Sequence, residues 1–300
     1  MFKALVGLAT LFVADVVSRG FESRAWRIAI YVALICWEPV LLNALIGQTG
    51  MFVAALATIG ILVFLRDRER GAALLGLMAM KPTAAIAAGL IVWQARPKAW
   101  PYFAAVAVLV VFVPFLWLGP TALGQWLDWL YWRSTVDLDG GHVYNQGLSS
   151  MVNFGNILGL IVLLALIGLV LATVRFVNLW LGIEVGTAFA LLTGFLINPH
   201  SLLYDWAIGF VAIFLLRRAG FVPPHFADFA CGVLAISLFA AGQLGWHSVS
   251  ETYETSSLAV NPVTVWAIAI NLGILAWAIR SALRARAAPS LGPAISPQQT

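Results

Sequence analysis

Apolar runs long enough to cross a bilayer recur along the whole chain. They lie at about 4–18, 28–46, 50–65, 101–118, 156–174, 178–197, 202–216, 227–245 and 262–280, with short polar or basic segments between them. Lipid offers no partner to a backbone N–H or C=O, so each segment must satisfy its own backbone. α-Helices do so and open sheets do not. The expected fold class is therefore all-α, a polytopic integral membrane protein with about nine spanning helices. Composition agrees: 62% of residues are hydrophobic, 10% are charged and the mean hydropathy is +0.94, outside the range of soluble domains. The net charge of +4 calls for no nucleic-acid partner, because the Lys and Arg stand mainly between apolar runs, where they orient a chain in a membrane. Membrane lipid is the expected partner. Cys36 and Cys231 both lie inside apolar runs, which argues against a disulfide and against a metal cluster. The start has only Lys3 ahead of its apolar run and no small-residue cleavage site, so it reads as a membrane helix. One transmembrane domain over 1–286 and a disordered cytoplasmic tail over 287–300 complete the organisation.

The segment from Arg66 to Lys98 departs from the pattern. An apolar stretch over 71–93 carries one charge, Lys81, in its middle and directly before Pro82. A Lys at the centre of a membrane segment costs about 2.5–3.5 kcal/mol on insertion scales, so such a residue is by default a functional hypothesis. Pro82 has no N–H for the Met78 carbonyl and pushes Lys81 out of the α region, so the helix should break there. Both flanks are basic, Arg66–Arg70 on one side and Arg96 with Lys98 on the other. Two arms of about ten residues reach roughly half the hydrocarbon thickness. The segment therefore reads as a re-entrant Lys-Pro hairpin with Lys81 near its tip.

Charge sorting supports that reading. With the hairpin returning to its own side, Arg19, Arg24, Arg27, Arg66, Arg68, Arg70, Arg96, Lys98, Arg175, Arg217, Arg218, Arg280, Arg284 and Arg286 share one side. Asp128, Asp137, Asp139, Glu251 and Glu254 fall on the other, with Arg133. A single crossing at 71–93 would turn the later cations outward, against the tendency of basic loops to stay cytoplasmic. The outer stretch 119–156 is too long to lack structure of its own. Leu123, Trp126, Leu127 and Leu130 follow helical spacing, beside Trp129, Tyr131 and Trp132. An interfacial helix is expected there, serving as an aromatic belt or lining a sugar or lipid site.

Five ionisable groups, Asp15, Glu38, Lys81, Glu184 and Asp205, stand inside apolar runs, more than anchoring needs. Asp15 and Glu184 are expected in structural ion pairs; Lys81 and Asp205 sit at expected helix breaks, where a polar cavity is best placed. Asn198-Pro199-His200-Ser201-Leu202-Leu203-Tyr204-Asp205 opens a run at the outer face. His200 and Tyr204 share a helix face with Asp205 alongside, an arrangement that either caps a helix start or positions a hydroxyl and accepts its proton. Asp137 and Asp139 before Gly140-Gly141-His142 invite a metal reading, but solvated loop acids look the same and no histidine has zinc spacing. No metal is expected.

The order Pro39, Asn43-Ala44-Leu45-Ile46-Gly47-Gln48, a basic loop, then Gly71 to Lys81-Pro82 resembles glycosyltransferase family 87 of the GT-C superfamily. Tyr144-Asn145-Gln146 is similar to that family's Asn-Gln element, and Asn198-Pro199-His200 through Tyr204-Asp205 to its Ser-Pro-His…Tyr-Asp element, with Asn for Ser. The resemblance implies a membrane enzyme that moves a hexose, often mannose, from a polyprenyl-phosphate carrier to a glycan or lipid acceptor on the extracytoplasmic face, with inversion. It needs no cofactor beyond that lipid-linked donor. On this reading Asp205 or Asp137 is the catalytic base. Lys81, Gln48, Asn43, Asn145 and Gln146 bind the lipid phosphate, and His200 and Tyr204 lie beside the acceptor. A bacterial cytoplasmic membrane is the implied location. The family's usual Asp in a first outer loop has no counterpart, so a missing N-terminal segment is expected. Two rival readings are a transporter or flippase of a lipid-linked substrate and a non-catalytic membrane remnant. Against the first, the Lys-Pro break has no inverted counterpart in the second half.

Overall fold

The computed structural model describes residues 2–20, 23–36, 50–95, 97–136, 157–198, 206, 208–250 and 262–287. Among these residues every regular element is helical. In chain order they are α1 (Phe2–Ser18), α2 (Arg24–Cys36), α3 (Gly50–Phe64), α4 (Arg68–Gly76), α5 (Pro82–Ala95), α6 (Trp100–Leu118), α7 (Pro120–Val136), α8 (Ile157–Leu181), α9 (Ile183–Ile197), α10 (Ile208–Arg218), α11 (Pro224–Ser250) and α12 (Pro262–Ala287). Short 3-10 turns at Leu77–Met80 and Pro97–Ala99 flank α5.

The core is organised on α9. Val185 through Leu196 are buried without interruption, so this helix is covered on every side, by α5, α8, α10 and α12. Its small residues permit the closest of these contacts. A Cβ at Gly194 would run into the Ala87 backbone on α5, and one at Gly186 into Gln94 and Asn178. Small residues at helix seams let backbones approach and so raise packing contact, the main source of helix association in lipid. The same device joins α3 and α4, where Gly60 lies on Leu75 and Gly71 on Phe64.

Two junctions rest on glycine alone. Gly119, between α6 and α7, has φ 82° and ψ 169°; Gly182, between α8 and α9, has φ 84° and ψ 171°. This region is closed to residues with a Cβ, so the chain can turn there only at glycine. The second junction corrects one boundary. The sequence suggests a stop near Arg175, but α8 runs on to Leu181. Arg175 is exposed, so its charge need not interrupt the helix.

Among the described residues two helical segments are long and apolar enough to cross a membrane, Trp100–Leu118 and Val263–Arg286. The first differs from a core helix of a soluble protein in cover: along α6 only Phe103 is buried, while Val108, Leu109, Phe112, Leu116 and Trp117 stand exposed. A contiguous apolar face of that extent belongs in lipid or against a partner.

Candidate functional site

The chain breaks at Lys81 as its proline requires. Lys81 has φ −119° and ψ 96°, extended backbone, between the 3-10 turn and α5. Pro82 opens α5, where a missing N–H costs nothing. The Lys81 carbonyl takes the first bond of that helix, from the Ala84 N–H at 2.8 Å. One detail differs from expectation: the Met78 carbonyl, which Pro82 cannot serve, accepts from the Lys81 N–H at 3.0 Å, so it is not left open. The arms are also longer than about ten residues. Nine residues of α4 with four of the 3-10 turn lead in, and fourteen of α5 lead out, a reach of about 20 Å on either side.

A second break faces the first. Asn198 ends α9 with φ −64° and ψ 124°, driven out of the helical region by Pro199. It is fully buried. Helices α5 and α9 are antiparallel: Gln94 donates to the Thr187 hydroxyl at 2.9 Å, and two turns away Ala87 meets Gly194. One further turn along this register sets Asn198 level with Thr83, two residues from the half-buried Lys81. Around the same end of α9, Asn271 on α12 donates to the Thr193 hydroxyl at 3.2 Å. Trp206 is buried with its ring 6.0 Å from that of Phe195. The indole N–H of Trp206 and the side-chain oxygen of Asn271 are buried without a hydrogen-bond partner among the described residues, and a buried polar atom needs such a partner to offset its lost hydration.

The opposite end of the bundle is basic and closed by pairs. Arg218 meets Glu184 at 3.1 Å and Arg217 meets Asp228 at 3.5 Å. Arg19 meets Asp15 at 2.7 Å, and Gly20 packs against Phe214 of α10. The ion pairs expected for Asp15 and Glu184 are thus present, supplied by arginines of the turns. Asp67 caps α4, accepting from the Glu69 and Arg70 N–H groups and pairing with Arg70 at 3.2 Å. Asn178 donates to the Gln94 carbonyl at 2.8 Å, and the Trp93 indole to the Leu171 carbonyl at 3.2 Å, which ties α5 to α8. Gln94, Asn178 and Thr187 escape a sequence reading because each is an ordinary residue whose partners lie far along the chain; an amide at the end of an apolar run is the one signal they give.

Of the residues singled out in the sequence, Lys81 lies on this framework. Asp205, Asp137, Gln48, Asn43, Asn145, Gln146, His200 and Tyr204 lie outside the described residues, as do Glu38, Asp139 and His142. Asn198 and Trp206 bracket the segment that carries three of them. No cluster suited to a metal ion occurs among the described residues.

These features define an all-helical membrane protein, with an uncovered apolar helix at its periphery and paired breaks within its bundle. The chain belongs to glycosyltransferase family 87, whose family model matches residues 1–204. Membership makes it a glycosyltransferase. The match takes in Lys81 and Asn198 and ends one residue before Asp205. No curated protein and no solved structure matches the chain.

Proposed function

We propose that this glycosyltransferase moves a hexose, mannose by family resemblance, from a polyprenyl-phosphate carrier to a glycan or lipid acceptor. The site opens on the face opposite the basic end, the extracytoplasmic face of a bacterial cytoplasmic membrane. The observation that carries the reading is the juxtaposition of two breaks, Lys81-Pro82 and Asn198-Pro199, at one level of adjoining helices. Irregular backbone at membrane depth is tolerated where it lines a polar cavity. A lysine held there supplies a cation for a lipid-linked phosphate, and Gln48, Asn43, Asn145 and Gln146 supply amide donors. In the reaction, Asp205, or Asp137 in its place, takes the acceptor hydroxyl proton. The acceptor oxygen attacks the anomeric carbon, the bond from that carbon to the phosphate oxygen breaks, and polyprenyl phosphate leaves. One such displacement inverts the centre. His200 and Tyr204 orient the hydroxyl.

The proposed topology has about nine spans and a non-crossing hairpin, and contacts around α6 support the hairpin. Tyr102 lies against Glu69, so α6 and α4 start at one level. Gly76 near the end of α4 and Gly89 in α5 both border Phe103, so the chain passes that level twice. Cysteines placed at positions 68 and 139 should differ in labelling from outside, with 139 reactive and 68 protected; equal labelling sinks the topology.

The chemistry is tested on reconstituted full chain with polyprenyl-phosphate mannose as donor. Lys81→Met should leave a folded protein that binds polyprenyl phosphate much more weakly. Asp205→Asn should keep that binding and lose about 10²–10⁴ in transfer rate. Lys81→Met that lowers thermal stability while binding polyprenyl phosphate normally would reduce Lys81 to a structural ion pair. Donor movement across the bilayer without sugar transfer would favour a flippase.

A further inference from the structure

The last turns of α12 carry Arg280, Arg284 and Arg286, and no Asp or Glu stands anywhere on that helix. The acids described at this end of the bundle are engaged elsewhere: Asp15 with Arg19, Asp67 with Arg70, Glu69 with Tyr102, Glu184 with Arg218 and Asp228 with Arg217. Residues 288–300 hold no charged side chain to neutralise the three arginines. Arg280 lies over the Trp277 ring, 5.7 Å from its centroid, and that ring meets Phe221 edge-on at 6.1 Å. Trp277, Arg280 and Arg284 are spaced i, i+3 and i+7, so they share one helix face. Beside that face runs an exposed apolar stripe of Leu272, Ile279 and Leu283.

We infer that this end of α12 is a docking surface for an anionic phospholipid. The cations fit the headgroup, the indole fits the headgroup level, and the stripe fits the acyl chains. A free phosphate ester would use the arginines and leave the stripe bare; a zwitterionic lipid would cover the stripe without compensating the charge. The surface lies at the opposite end from the two breaks, so it stands or falls independently of the sugar-transfer reading.

The test uses full chain purified in detergent, titrated separately with dioctanoyl phosphatidylglycerol, dioctanoyl phosphatidylcholine and glycerol 3-phosphate, with bound molecules counted by native mass spectrometry. Phosphatidylglycerol should bind at least about tenfold better than phosphatidylcholine. Each arginine near an anionic headgroup contributes roughly fivefold, so Arg280→Gln with Arg284→Gln and Arg286→Gln should lose on the order of 10²-fold. Arg284→Gln alone should lose roughly fivefold, and it decides the matter if the triple variant fails to accumulate. Arg19→Gln, whose cation is already paired, should stay within about twofold. The proposal is overturned if the arginine variants bind phosphatidylglycerol as the unaltered chain does or if phosphatidylcholine binds equally well. Displacement of the lipid by glycerol 3-phosphate or by polyglutamate would overturn it too, assigning the arginines to a soluble anion or an acidic protein.

Discussion

Helices α6 and α9 are built from the same kinds of residue and have opposite surroundings. Along α9 every position from Val185 to Leu196 is enclosed by protein, whereas along α6 only Phe103 is. In water the second helix would be intolerable; in lipid it loses nothing, because acyl chains are as apolar as leucine. Hydrophobicity therefore says that a segment is out of water, and residue size says against what. Gly186 and Gly194 on α9 admit neighbouring backbones, while α6 carries Leu109, Phe112, Leu116 and Trp117 into open space.

The contrast can be broken most severely on α6. Leu109 sits near its middle and is exposed, so Leu109→Arg should cost about 2.5–3.5 kcal/mol in an insertion assay. Leu109→Ala should be nearly silent in detergent thermal unfolding; a loss of about 2 kcal/mol or more would mean that protein, not lipid, covers this face. On α9 the order reverses. Gly194→Leu adds volume against the Ala87 backbone and should destabilise by about 1–3 kcal/mol, seen as a lower melting temperature of the purified chain. Gln94→Leu removes the donor that meets the Thr187 hydroxyl and should cost about 1 kcal/mol by the same measurement. Smallest is Glu184→Gln, which removes the partner of a partly exposed arginine; a shift worth more than about 1 kcal/mol would show that the basic end is drier than its exposure suggests.

Much of this was legible in the sequence, for identifiable reasons. The break at Lys81 was readable because proline acts through local sterics, whatever surrounds it. The pairing of Asp15 and Glu184 was readable because a charge in an apolar run must find company. What resisted was distance along the chain. Nothing near Gln94 announces Thr187 or Asn178, since the hydrogen bonds joining them depend on where α8 and α9 lie in space. Likewise Arg175 looked like a terminus because a charge often ends an apolar run, while the turn waited for Gly182, the residue whose backbone could make it. Lys81 and Asn198 appeared in the sequence as unrelated X–Pro pairs, and only the antiparallel register of α5 and α9 brings them level.

That register makes the seam intolerant of a kind of change that side-chain chemistry does not describe. One residue added to α9 ahead of Asn198 would advance that break by about 1.5 Å and swing it through roughly 100°, away from the start of α5. A compensating residue in α5 would not restore the match unless it fell on the same side of the Ala87–Gly194 contact. Relatives that keep both breaks facing can exchange the residues along this seam, yet the spacing from Gln94 back to Lys81 and from Thr187 on to Asn198 has to be inherited unaltered.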